Sequence, residues 1–360
     1  MTTSDRKVWL MFPGLESYSF FTLERWVNFP PFVQICENLF DETGINLIDD
    51  ILNQITAINS NNNNESQPKM ATLFAMVTAL QISIAKFLMD NGLPIKGCIG
   101  YSIGEFSCGF VDGCYDAITA ILLSHTIGKK IDESGFRRGL MAVVEQNEID
   151  FLSRFSNSGV HIVAHNSDDC ISIAGSETCN VQRIIDTLKS DRIKCRIIPS
   201  FNIPLHCCEM DFLRDTAMEN LYRVIDSPKK RSSNWISTTV SSHQDGLRLS
   251  CPRYFLRNLC SPVLFREACQ EIPSNSVVIE ISTHPLLERW LRANTMEKIT
   301  YISIPELDSC ENSLLPGTSL REITSTSLSH CFSNVKLIDY AREKEKIMAN
   351  KTSSGVYEIR

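Results

Sequence analysis

A serine enclosed by glycines, Gly100-Tyr101-Ser102-Ile103-Gly104, stands between an apolar run at 93–100 and a segment able to form a helix. A serine hydroxyl is a poor nucleophile at its free pKa, so it needs a base within hydrogen-bond reach and donors for the oxyanion that follows attack. The GxSxG spacing suits a strand-to-helix turn, in which the glycines admit a tight elbow and the serine side chain stands clear of the backbone. The amide of the next residue, Ile103, then falls in the first helical turn, where free N–H groups and the helix dipole favour negative charge, and it is the first candidate oxyanion donor. The base must come from elsewhere. Seven histidines are available: His125, His161, His165, His206, His243, His284 and His330. Any imidazole can accept a proton near neutral pH, so composition does not choose among them. His206, in FNIPLHCCEM, lies where the chain is expected to re-enter its main body. The run His206-Cys207-Cys208 does not suit a metal, because consecutive residues cannot easily share a tetrahedral centre and no second ligand cluster accompanies it. With no Walker A loop and no GxGxxG, nucleotide-dependent chemistry has no motif to rest on.

The elements that must position these groups follow from patterning. KVWLMFPG is a short apolar run stopped by Pro13 and Gly14, which predicts a buried strand entering a tight loop. MATLFAMVTALQISIAKFLMDNG is apolar nearly all round and stops at Asn91-Gly92, which predicts a central buried helix. LPIKGCIG predicts a second strand, followed by Ser102 and then by the helical DAITAILLSHTIGKKID. From 139 to about 200 the units are shorter, in the order βαββαβ of a ferredoxin-like unit, which predicts a small inserted domain. SNNNNESQPK is polar and repetitive, as in a surface loop, and the Ser/Thr-rich and charged stretch after about 308 reads as a poorly ordered tail.

The chain has 360 residues, 43% hydrophobic and 21% charged, with a net charge of -7 and no dense Lys/Arg block. That balance argues against a nucleic-acid partner held by counterion release. Its N-terminal apolar run is too short for a secretory signal and no uninterrupted stretch of ~20 apolar residues occurs, so no membrane partner and a cytoplasmic location are expected. The 14 cysteines are scattered without a CxxC pair, as expected of reduced thiols.

GYSIGEFSCGFVDGC resembles the nucleophile segment of the acyltransferase (malonyl/acetyl transacylase) domain of animal-type type I fatty acid synthases, a family related to bacterial malonyl transacylases and polyketide synthase acyltransferases. VAHNSDDCISIAGS, NWISTTV and YFLRNLCSPVLFREA resemble its later landmarks in the same order, so the resemblance covers about residues 8–307. It implies an α/β fold: an α/β-hydrolase-like core formed by 1–137 and 204–308, with a ferredoxin-like subdomain at 138–203 and a tail at 309–360. It implies Ser102 as nucleophile, His206 as general base, and Asn258 as the residue whose backbone carbonyl orients that histidine, a Ser-His dyad. The second oxyanion donor would be the amide of Leu15 in FPGLES. The implied reaction passes an acyl group from acyl-CoA through an acyl-serine to the phosphopantetheine thiol of an acyl carrier protein, with no bound cofactor. The partners would be acyl-CoA and a carrier or other synthase domains.

Three departures from the family pattern bear on the acyl pocket, assigned to Tyr101, Ile127 and Asn166. Tyr101 replaces the usual histidine before the nucleophile, and the first glycine loop reads Gly14-Leu15-Glu16-Ser17-Tyr18 rather than GxGxQ. Ile127 stands where the family places the arginine that pairs with the malonyl carboxylate, which predicts a preference for neutral acyl groups. The same residues leave open a serine thioesterase or hydrolase, and a degenerate acyltransferase fold retained as a scaffold.

Overall fold

The computed structural model describes residues 7–17, 29–60, 67–241, 248–282, 284–296 and 298–304. Most of the polar stretch at 60–69, His243, His330 and the 309–360 tail lie outside the described residues.

Strands covered on both faces read as continuous apolar runs, and β1 (Val8–Phe12), buried at every position, is of this kind. It pairs in parallel with β2 (Ile95–Gly100) on one side and β10 (Val277–Glu280) on the other. β8 (Trp235–Ile236) and β11 (Thr300–Ser303) complete a parallel sheet of order β11-β10-β1-β2-β8. Helices cover it. The Met70–Asp90 helix has 17 of its 21 residues buried, and although long and apolar enough to cross a membrane, it is a core helix. It has no N-cap side chain of its own. Instead Asp132, on the Ala117–Ser134 helix, accepts from the Met70 and Ala71 amides at 3.0 Å each, and Gly128 lets that helix approach the Met70 backbone closely.

The inserted unit runs through β3 (Leu140–Val144), the Glu148–Phe155 helix, β4 (His161–Ser167), β5 (Cys170–Gly175), the Thr178–Ser190 helix and β6 (Cys195–Ile198). Its antiparallel sheet has the order β4-β5-β3-β6, the arrangement of a ferredoxin-like βαββαβ unit. The fold is thus α/β, with a parallel core sheet and a ferredoxin-like insertion. Two main-chain bonds join the two sheets' territories: Val263 N–H donates to Val163 O at 3.0 Å and His165 N–H to Val263 O at 2.9 Å. A short ribbon of β7 (Lys229–Lys230) and β9 (Leu249–Ser250) lies apart from both. The twelve described cysteines are all free thiols, and eight of them are buried.

Candidate active site

The elbow forms where β2 ends at Gly100 and the Gly104–Val111 helix begins. A Cβ at Gly100 would collide with the Gly104 and Glu105 backbone, and one at Gly104 would collide with the Phe12 carbonyl, so the two glycines allow the helix to fold back tightly onto β1. Ser102 between them has φ 59°, a left-handed conformation that costs a non-glycine residue on the order of 1–3 kcal/mol and persists only where its surroundings hold it.

Asn258, on the Pro252–Cys260 helix, provides part of that hold: its Nδ2 donates to Ser102 O at 2.8 Å. The same residue's carbonyl accepts from His206 Nδ1 at 2.6 Å, while His206 Nε2 stands 2.6 Å from Ser102 Oγ. His206 is itself left-handed, φ 67°, with its amide tied to Leu259 O at 2.8 Å. With Nδ1–H committed to a carbonyl, the neutral ring presents the Nε2 lone pair to the serine. Desolvation lowers the His206 pKa to about 4, against the opposing pull of the Asn258 and Ser261 carbonyls, so the ring is neutral at pH 7. Of the other histidines, His161 lies beside Cys208 and Glu209, His165 pairs with Glu267, and His284 is exposed.

The Pro13-Gly14-Leu15 loop packs directly on the serine: a Cβ at Gly14 would sit 3.1 Å from Ser102 Cβ. Neither the Leu15 nor the Ile103 N–H donates to another described residue; Leu15 follows Gly14 in the loop packed on Ser102, and Ile103 follows Ser102 in the elbow. A lone glutamine in the apolar Met70–Asp90 helix fixes this loop. Gln81 Nε2 donates to Pro13 O at 2.8 Å and its Oε1 accepts from Ser107 Oγ at 2.6 Å, fastening loop and elbow helix together. Glu105 does the same on the other side. Its buried carboxylate accepts from Trp235 Nε1, Thr238 N and Oγ1, and Tyr254 OH at 2.6–2.9 Å, joining the elbow helix to β8 and to the helix that carries Asn258. Burial raises its pKa, partly offset by those donors.

Ser102 and His206 open on a cleft of about 610 Å³, mouth included, walled by apolar side chains such as Met141, Val163, Ile198, Leu205 and Trp290. The sequence reading assigns Tyr101, Ile127 and Asn166 to the acyl pocket, and the structure corrects two of the three. Tyr101 lines the cleft. Ile127 does not. It is fully buried in the hydrophobic core, because it lies on the apolar face of its helix. Asn166 is also fully buried, and its amide is occupied: Oδ1 accepts from Tyr101 OH at 2.8 Å and Nδ2 donates to Ser172 Oγ at 3.0 Å. It holds Tyr101, which also stacks on Trp290, and does not meet the cleft. Arg137 is tied to Asp132 and Pro68 O, and Lys130 to Glu133, so neither reaches the serine.

Residues 28–316 match the family model of the acyl transferase domain. The chain belongs to this family. Among curated acyl transferase relatives, the probable polyketide synthase 23 of Dictyostelium discoideum is 25% identical over 326 residues, 86% of this chain. That match spans 13% of the synthase's own length. Among solved structures, the acyltransferase domain of the polyketide synthase PpsC of Mycobacterium tuberculosis superposes with a TM-score of 0.69 at 17% identity, covering 82% of this chain and 90% of that one. A malonyl-transacylase solved with the holo acyl-carrier protein of a type II polyketide synthase has a TM-score of 0.65 at 21% identity, covering 82% and 95%. These likenesses establish that the acyl transferase chain shares their fold.

Proposed function

We propose that this chain is a serine acyltransferase, moving an acyl group from coenzyme A to the phosphopantetheine thiol of an acyl carrier protein. The observation that carries the proposal is the relay from Ser102 Oγ through His206 to the Asn258 carbonyl, two contacts of 2.6 Å at the head of an apolar cleft. The carrier as acceptor is supported by family membership and by the structurally similar malonyl-transacylase solved in complex with its acyl-carrier protein.

In the first half-reaction Ser102 O–H gives its proton to His206 Nε2 as Oγ bonds to the thioester carbon. The Ile103 and Leu15 amides receive the negative oxygen. Collapse breaks the carbon–sulfur bond, and the imidazolium returns the proton to the departing thiol, leaving acyl-Ser102. The second half-reaction reverses these steps with the carrier's thiol as nucleophile, so the cycle needs no bound cofactor or metal. No lysine or arginine lines the cleft among the described residues, and the buried Ile127 offers no charge in its place. A carboxylate-bearing acyl group would therefore enter without a guanidinium partner, which favours neutral acyl groups.

Intact-protein mass spectrometry after exposure to a panel of acyl-CoAs tests the proposal. A single acyl adduct is expected, absent in Ser102→Ala and discharged by a phosphopantetheine thiol faster than by water. Absence of any adduct on folded protein would refute it.

A further inference from the structure

We propose that Glu16 is a selectivity residue that disfavours acyl groups carrying a carboxylate, so that the substrates of this site are neutral acyl thioesters. This deepens the acyl-transfer reading and rests on it. Glu16 follows Leu15 in the loop seated on Ser102, and among the described residues that line the cleft it is the single carboxylate, with no lysine or arginine among them. The carboxylate is the deeper half of an ion pair. Its side chain is 19% exposed, whereas its partner Arg196 on β6 is 51% exposed. The two face different spaces. Glu16 lines the acyl cleft, while Arg196 lines an adjoining groove with Lys189, Arg192, Lys194 and Arg289, and Leu286 and Trp290 form the wall between them. The groove also holds Glu145, which pairs with Arg289 and Lys194, so among the described residues its five cations outnumber its one carboxylate, while the cleft holds the Glu16 carboxylate and no lysine or arginine. An incoming acyl carboxylate meets a like charge in a partly desolvated site, only partly compensated by Arg196 behind it. Like charges several ångströms apart at an effective dielectric near 20 alter relative rates by about tenfold or more.

The experiment mixes malonyl-CoA with butyryl-CoA, a neutral group of similar size, and reads the ratio of the two acyl-Ser102 adducts formed by the full chain at early times. Wild type is expected to favour butyryl, and Glu16→Gln to raise the malonyl-to-butyryl ratio about tenfold. Arg196→Gln, which removes the compensating charge from a half-exposed position, is expected to lower the ratio and serves as the test should Glu16→Gln fail to fold. A ratio unmoved by these substitutions, or a wild type that prefers malonyl, overturns the role of Glu16 while leaving acyl transfer intact. If neither thioester acylates Ser102, the acyl-transfer reading fails and this inference falls with it.

Discussion

Lowering the pH from 8 to 4 isolates what burial does to His206. An ordinary histidine titrates near 6.5, and desolvation brings this one to about 4. At pH 5 an unperturbed imidazole is only about 3% neutral, whereas one with a pKa of 4 is about 90% neutral, a difference of about thirtyfold in available base. Acyl-Ser102 formation should thus hold nearly level down to pH 5 and decline with a midpoint near 4. Stability follows the same group. Between 6.5 and 4 the unfolded chain takes up a proton that folded His206 refuses, so the folded state loses ground as pH falls, by about 3 kcal/mol once pH is below 4, and by nothing above 6.5. Initial acylation rates by intact mass across pH 4–8 measure the first effect. Urea denaturation of wild type and His206→Gln over the same range measures the second, because the difference between them cancels the carboxylates that also titrate. An acid limb centred near 6.5, or a His206→Gln variant with an unaltered pH dependence of stability, would refute the reasoning.

Two further substitutions probe the supports. Asn258→Ala removes the side-chain donor to Ser102 O but keeps the backbone carbonyl that holds His206, so acylation should fall about tenfold rather than vanish, with stability lower by about 1–2 kcal/mol; kinetics and chemical denaturation check both. Glu105→Ala strands buried donors on Trp235, Thr238 and Tyr254, and should cost about 3 kcal/mol or more, read as a lowered denaturation midpoint at unchanged m-value.

Much of the scaffold was legible because it is local. The apolar runs at β1 and β2, the stop at Asn91-Gly92 and the GxSxG turn each combine a period with a punctuating residue, and such signals need no knowledge of distant contacts. The alternation of short units at 139–200 likewise announced the inserted sheet. The site was only half legible. His206 could be picked from seven histidines by resemblance alone, since it meets Ser102 across 104 residues of sequence. The motif positions of Ile127 and Asn166 point to the pocket, yet which way a helix turns and what a buried amide bonds are settled by packing. Gln81 carried a faint signal, a polar residue in an apolar helix, while the Glu16 and Arg196 pairing across 180 residues carried none.

The junction at Val263 has a consequence for the rigidity of the cleft. Because the inserted sheet is tied to the core through main-chain bonds at Val163 and His165, the near edge of the slot is set by peptide geometry rather than by side chains. Substituting those residues would leave the spacing of the jaws almost unchanged. The cleft wall that Val163 and Ala164 form is therefore held to the core by its own main chain.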